Sequence, residues 1–443
     1  MKIFNGIIPL IVFLFSCYPG YSQNTNNEIV YWNDTLSGLQ NFRIISMLEA
    51  PDNKIYLLSK ATDQGYNNPH PNFTRMDFNG KVLNTNTIIT QDVYELNSIV
   101  ALPDGKVKII GTTSSSGYML PYFETLDAKG NTDPYIYNYN IVPIYPGKVF
   151  KTDDGFYNET IATFNPQGGS DNADPNEPGA LWNVWIYKKD YRKKAVSEQE
   201  VWHRKIVSEY HEEPVNTIQS SDKSIISLSK RYTTPDFDRY IPVLYCLSPE
   251  GEVTWTKELP NEENYVTASI VTDKNGNIYS MFNFGNEQMI LNHTSVYLHS
   301  SKGDSLKFTW IDKFCANGGV LNKDNNIILY GGIYKAESGY SIKKATTCLI
   351  DKQLTVLNQN SMDMFDAPDA EIPGLGFTVY PTSSDFLTGI SLSDGRYALG
   401  GRVYMPERIN ASVDEIIAMP RYNQNLVIFT NQTGDFGTYK EKE

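Results

Sequence analysis

Leu102-Pro103-Asp104-Gly105-Lys106-Val107 joins the apolar run Asn97-Ser98-Ile99-Val100-Ala101 to Lys108-Ile109-Ile110-Gly111-Thr112. Pro, Asp and Gly together make a tight turn, and the flanking runs alternate apolar and polar residues with the period of two that marks strands. The phrase recurs. Its other copies are Ala50-Pro51-Asp52-Asn53-Lys54-Ile55-Tyr56, Thr152-Asp153-Asp154-Gly155-Phe156, Ser221-Asp222-Lys223-Ser224-Ile225, Lys274-Asn275-Gly276-Asn277-Ile278, Lys323-Asp324-Asn325-Asn326-Ile327 and Ser393-Asp394-Gly395-Arg396-Tyr397. Between turn residues the spacings are 52, 50, 68, 53, 49 and 70. A strand-rich repeat of about 40–50 residues is the mark of a β-propeller, one four-stranded blade per copy. The expected fold is therefore all-β, a seven-bladed β-propeller of four-stranded antiparallel blades.

Within a blade the order reads a, b, c, d. In the second copy Asn97–Leu102 is the inner strand a, Lys106–Thr112 strand b and Tyr122–Leu126 strand c. The turn Asp127-Ala128-Lys129-Gly130 leads to the outer strand d, and a Gly-bearing turn recurs at Gly80, Gly251, Gly303 and Gly434. Gly supplies the positive φ that tight hairpins demand. Blades 3 and 6 depart, with Asp190-Tyr191-Arg192 and Asp351-Lys352-Gln353. Trp32, Trp202, Trp255 and Trp310 fall on d strands, where their rings are expected to pack on the neighbouring blade. Ile29-Val30-Tyr31-Trp32 is an outer strand with no blade before it. It is expected to complete the last blade and so close the ring by pairing the N- and C-terminal strands, a role for which Phe436-Gly437-Thr438-Tyr439 competes.

The chain begins with Lys2 and the apolar run Ile7–Phe15, too short to span a bilayer and suited to a secretory signal. Gly20-Tyr21-Ser22 before Gln23 fits cleavage after Ser22, giving a signal peptide over 1–22 and one propeller domain over 23–443. Leu14-Phe15-Ser16-Cys17 offers lipidation at Cys17 instead, although Phe15 is bulkier than a lipobox normally carries. No later stretch is apolar enough for a transmembrane helix. Net charge is −13, and basic residues are scattered apart from Lys188–Lys194 on a turn, which argues against a nucleic-acid partner. Cys246, Cys315 and Cys348 show no CxxC spacing, and Cys315 and Cys348 should lie about 9.6 Å apart, two strand spacings, too far for a disulfide.

On these features the mature chain resembles secreted bacterial β-propeller repeat proteins. Ser248-Pro249-Glu250-Gly251-Glu252-Val253-Thr254-Trp255 looks like the Gly-to-Trp blade motif of quinoprotein propellers. Only that blade matches well, so no quinone cofactor is implied. The Asn- and Tyr-rich composition with a Ser-Gln processing site is similar to exported proteins of Bacteroidetes-type bacteria, which implies a periplasmic or cell-surface location.

Function is expected on one face of the disc. The a–b and c–d turns are short, whereas the b–c and d–a connections, on the opposite face, include Ser59–Asn72, Asn165–Leu181, Lys230–Tyr240, Ser361–Asp385 and Arg402–Asn423. Long loops on a rigid scaffold are where binding and catalysis concentrate. Blade 4 has the densest chemistry there: His211, Glu212 and Glu213 on the entering loop, and Arg231, Tyr232, Asp236, Asp238 and Arg239 on its b–c loop. Such a set can serve acid–base chemistry on a sugar, or form a solvated loop held by ion pairs. His70, His211 and His293 map to the same face and are candidate metal ligands, but they come from blades 1, 4 and 5 without HxH or HExxH spacing. Gly168–Glu177 is rich in oxygen ligands but lacks the order of a calcium loop. No P-loop, GxSxG or dinucleotide fingerprint is present, so no cofactor is expected. The leading reading is a non-catalytic exported propeller binding a glycan or another envelope protein, with Tyr66, Tyr118, Trp182, Tyr232, Tyr340 and Tyr404 as candidate stacking residues. The alternatives are a polysaccharide lyase or glycosidase and a purely structural envelope scaffold.

Overall fold

The computed structural model describes residues 29–32, 40–62, 69–88, 93–115, 118–131, 144–165, 181–193, 196–206, 208, 210–233, 239–260, 265, 267–285, 291–337, 340–362, 370–371, 378–379, 383–406 and 421–436. They form seven antiparallel sheets around one axis, as the repeat requires. Strand β1 (Ile29–Trp32) stands apart in sequence. Blade 1 is β2 (Gln40–Ala50), β3 (Lys54–Thr62), β4 (Pro69–Met76) and β5 (Val82–Thr87). Blade 2 shows three described strands, β6 (Val93–Ala101), β7 (Val107–Ser115) and β8 (Tyr118–Leu126). Blade 3 is β9 (Ile144–Lys151), β10 (Tyr157–Asn165), β11 (Leu181–Lys189) and β12 (Glu200–Ile206), with a one-turn helix α1 (Val196–Gln199) before its outer strand. Blade 4 is β13 (Glu212–Gln219), β14 (Ile225–Tyr232), β15 (Tyr240–Leu247) and β16 (Val253–Glu258). Blade 5 is β17 (Thr267–Thr272), β18 (Ile278–Gly285), β19 (Leu291–His299) and β20 (Ser305–Asp312). Blade 6 is β21 (Phe314–Leu321), β22 (Ile327–Glu337), β23 (Tyr340–Ile350) and β24 (Val356–Ser361). A short hairpin, β25 (Ala370–Glu371) with β26 (Thr378–Val379), precedes blade 7, which is β27 (Ser383–Ser391), β28 (Tyr397–Pro406) and β29 (Arg421–Thr430).

The fourth strand of blade 7 is β1. It pairs with β29 in the register Ile29↔Ile428, Val30↔Val427, Tyr31↔Leu426 and Trp32↔Asn425. The two ends of the chain therefore hold one sheet together. Phe436 is buried edge-to-face on Phe386, 5.7 Å between centroids, and packs into the seam between blades 6 and 7. Each inner strand packs on the next, and β27 returns to β2.

The core lies in the seams between blades. Middle strands are covered on both faces: β15 (Tyr-Ile-Pro-Val-Leu-Tyr-Cys-Leu) is buried along nearly its whole length, whereas the outer β16 is mostly exposed. Period-two alternation sends Ile226, Leu228 and Tyr232 of β14 into the blade 4–5 seam, and Ile225 with Val243 and Tyr245 into the blade 3–4 seam. The predicted c–d glycines have a second duty. At Gly251 (φ +88°) an added Cβ would sit 2.7 Å from the Trp202 ring of the preceding blade, whose Nε1 donates to Pro249 O at 3.1 Å. Blade 5 repeats the clasp: Trp255 lies over Gly303 and donates to Ser301 O at 3.1 Å.

Trp310 corrects the sequence expectation. Trp255 stands four residues after its turn glycine, and in blade 5 that position is Lys307, which reaches Gln353 of blade 6 at 3.4 Å. Trp310, three residues further on, is 62% exposed, with Leu306 and Phe308 exposed on the same face of β20. The ring of Trp32 lies outside the described side chains.

Between blades 2 and 3 the apolar seam shrinks to Val100, Ile110, Val149 and Tyr157. A buried polar cluster stands beside it, in which Glu159 pairs with Lys108 at 2.7 Å and Lys189 at 2.5 Å and accepts from Tyr191. Burial alone would raise the Glu159 carboxyl, but the two ammonium groups outweigh it and hold the pKa down to about 2. Cys246, Cys315 and Cys348 are buried and are not joined to one another by a disulfide. Among the described residues no helix is long and apolar enough to cross a membrane.

His299 is fully buried in the blade 4–5 seam, and neither ring nitrogen has a hydrogen-bond partner among the described residues. Burial, with Lys257 adding to it, depresses its pKa to about 4. The unfolded chain takes up this proton below about pH 6.5, whereas the fold refuses it until about 4. Stability tied to His299 is thus complete above the unfolded pKa and lost as pH falls through the folded one. His299→Phe should flatten the fall in melting temperature between pH 6.5 and 4, and scanning calorimetry of both proteins checks it. Gly251→Ala should cost roughly 1–3 kcal/mol in a chemical denaturation series, through left-handed strain and the collision with Trp202. A chain beginning at Asn33 instead of Gln23 should melt several degrees lower, because blade 7 loses its outer strand.

Candidate functional site

The described candidates lie on strands near the long-connection face, since a strands begin, b strands end and c strands begin there. The strands also reach further into the connections than the sequence suggests. In blade 1 β3 runs to Thr62 and β4 starts at Pro69, and in blade 7 β28 runs to Pro406 and β29 starts at Arg421. The two blade 4 segments do meet. Tyr232 N donates to His211 O at 2.9 Å, and Thr233 N to Arg239 O at 2.9 Å, pinching the base of the b–c loop.

The candidates nevertheless separate into two groups, because neighbouring residues on a strand face opposite ways. Glu212 and Arg231 point toward blade 3. Arg231 Nε donates to Glu212 Oε1 at 2.6 Å, one terminal nitrogen to Glu258 Oε1 at 2.7 Å and the other to the Tyr245 hydroxyl at 2.7 Å. Tyr245 in turn donates to Glu212 at 2.6 Å. Glu212 is fully buried, and each guanidinium nitrogen is committed within the protein. This is a closed network that fixes β13 to β14 and β15.

Glu213 and Tyr232 point the other way, toward blade 5. The Tyr232 hydroxyl donates to Glu213 Oε2 at 2.9 Å. The Lys230 ammonium lies 4.0 Å from the Tyr240 ring centroid and 5.2 Å from that of Tyr232. Tyr232, Tyr240 and Tyr265 stack edge to face, with centroids 5.8 and 4.8 Å apart, and the chain continues to Phe282 at 5.1 Å. Burial raises the Glu213 carboxyl, against the Tyr232 hydrogen bond and Lys230, and burial lowers Lys230 against Glu213. Burial, with Glu213 adding to it, pushes Tyr240 up to about 12, and burial lowers His211. An acid and a base are thus both drawn toward neutrality on a packed aromatic wall. On the connection that enters β13, Tyr210 is 44% exposed, and Arg239 is exposed where the b–c connection meets β15.

Lys230, Tyr265 and Tyr210 escape the sequence reading. Alternation along β14 pairs Lys230 with Tyr232, a legible signal. Tyr265 comes from the connection to blade 5, which only the ring brings close. His293 is stacked on Phe284 at 5.3 Å on the blade 4 side of blade 5, while His70 lies in β4 of blade 1. Among the described residues no three His, Cys, Asp or Glu gather as metal ligands. Tyr118, Trp182, Tyr340 and Tyr404 lie on β8, β11, β23 and β28, close to the strand ends at this face, in four different blades. Tyr66, Asp236, Asp238 and Gly168–Glu177 lie outside the described residues.

No family model and no curated protein matches the chain. Solved structures do resemble it. A Dyadobacter fermentans protein of unknown function has 8% identity, covering 78% of this chain and 97% of its own, at a TM-score of 0.46. The polysaccharide lyase Uly1 has 11% identity, covering 87% and 89%, at 0.49. An α-L-arabinofuranosidase from Fusarium graminearum, solved with an iminosugar inhibitor, has 11% identity, covering 76% and 100%, at 0.45. At these identities and scores nothing about activity follows from the likeness.

Proposed function

We propose that this protein is an exported, non-catalytic propeller that binds a glycan through the long-loop face between blades 4 and 5. Export rests on Lys2, the apolar run Ile7–Phe15 and the Gly20-Tyr21-Ser22 site before Gln23. The observation that carries binding is the Glu213–Lys230 pair set on the aromatic wall of Tyr232 and Tyr240 at this face, with an exposed ring, Tyr210, three residues before Glu213 on the entering connection. A ring face accepts the apolar side of a sugar, and a nearby carboxylate and ammonium offer an acceptor and a donor to its hydroxyls. The buried tyrosines behind them keep the polar groups in place.

Against catalysis stands the division of the carboxylates. Glu212 and Glu213 face opposite seams and cannot flank one glycosidic bond. Arg231, the group best suited to neutralise a uronate, spends its hydrogen bonds on Glu212, Glu258 and Tyr245. One observation favours an enzyme: Tyr232 donates to a carboxylate whose pKa is raised, an arrangement able to pass a proton.

A glycan array followed by product analysis on each hit decides between them. Binding without cleavage, weakened about tenfold or ~1.4 kcal/mol by Tyr210→Ala, is the expected result. Release of products that stops in Glu213→Gln would establish the enzyme instead. The absence of any glycan hit would overturn the binding reading.

A further inference from the structure

The seven inner strands enclose a channel along the ring axis, and one position on its wall differs from the rest. Six of them, all but β17, carry a β-bulge against their b strand at the same height. Bulges re-aim side chains, here around the axis. The residue four before the start of each a–b turn is Ser46, Ser98, Lys148, Asn216, Ser269, Gly318 and Thr388. Six are small or uncharged and one is lysine. The short ones reach across to the next blade: Ser98 Oγ accepts from Val149 N at 3.2 Å, and Asn216 Nδ2 donates to Ser269 Oγ at 2.9 Å.

Lys148 is too long for that seam. Its residue is exposed although it lies on the innermost strand of blade 3, so the solvent it meets is that of the channel. Its stem starts from a fixed point. At the preceding bulge residue, Gly147, an added Cβ would meet Thr160 O at 2.8 Å and Pro214 Cβ at 3.1 Å, which shows how closely blades 3 and 4 approach there. Desolvation by the surrounding wall lowers the ammonium's pKa to about 8, and no carboxylate among the described residues opposes it. A cation on a concave wall, with no carboxylate among its described neighbours, attracts an anion. At the next ring position Asn216 is buried, and its Oδ1 has no hydrogen-bond partner. A ligand that answers both groups carries a carboxylate and a hydroxyl.

We propose that the central channel at Lys148 binds the carboxylate of a sugar acid, with a ligand hydroxyl donating to Asn216 Oδ1. The site is separate from the blade 4–5 face and does not rest on glycan binding there. The carboxylate can come from a free sugar acid or from the end of a uronate-containing chain. Titration calorimetry of the full mature chain at pH 6.5 with galacturonate, trigalacturonate and, as neutral control, galactose tests it. Binding of either acid but not of galactose, weakened at least tenfold by Lys148→Met and retained by Lys148→Arg, is expected. Monomer binding identifies a free sugar acid, and binding of the trimer alone identifies a chain end. Equal affinity of wild type and Lys148→Met, or no binding to wild type, overturns the proposal. Amine acetylation of wild type at pH 8, mapped by mass spectrometry, gives an answer independent of any variant's folding. Lys148 should be modified and then protected by the acid that binds, whereas modification unaffected by both acids, or no modification, counts against the site.

Discussion

The ring depends on a contact in which one residue serves two purposes. A glycine in the left-handed turn between strands c and d lets the hairpin reverse, and its missing Cβ leaves the space into which the preceding blade docks. Trp202 over Gly251 and Trp255 over Gly303 are the clearest cases, each with an indole N–H on a backbone carbonyl of the same turn. Gly130 receives Phe73 and Asn86 in the same manner, and Gly434 receives Ile328 and Thr347. Because blades 1, 3, 4 and 6 dock in this way on the turn of the next blade, blade geometry and ring assembly are one constraint there, and β1 on β29 closes the ring.

That constraint also shapes the candidate site. A propeller blade is buried on both faces, so two residues adjacent in sequence belong to different seams. Glu212 is drawn into a closed ion-pair network with Arg231 and Tyr245, while Glu213 meets Tyr232 and Lys230 on the opposite side. A loop that reads as one cluster of acids, bases and aromatics therefore becomes two environments with different chemistry. One is satisfied and structural, and the other holds groups whose protonation is shifted toward neutrality.

Charge is placed unevenly around the ring. The seam between blades 2 and 3 replaces apolar contact with Lys108, Lys189 and Tyr191 gathered on Glu159, whereas the other seams are predominantly apolar. Such a polar seam contributes less to stability than well-packed side chains, but it fits only a blade presenting the same groups. The d strands carry nearly all of the exposed large apolar residues, from Leu83 in blade 1 to Leu357 in blade 6. These strands have no outer neighbour, and among the described residues Leu306, Phe308 and Trp310 make blade 5 the most apolar stretch of the rim.

The sequence by itself determined the number of blades, the order of strands within each and the identity of the short-turn face, and it left two terminal segments competing to close the ring. Those features are local: Pro, Asp and Gly set turns, and alternation sets strands, within a few residues of themselves. Part of the site was legible in the same way, since the meeting of His211–Glu213 with Arg231–Tyr232 follows from a strand order that brings two ends of one sheet together. Only the tertiary structure decided that β1 closes the ring, which of those residues share an environment, that Trp310 is exposed while Trp202 and Trp255 dock on a neighbouring turn, and that Lys148 is exposed on an inner strand. Each depends on what the neighbouring blade presents at one height, some 50 residues away, where a shift of one residue reverses the face that a side chain meets.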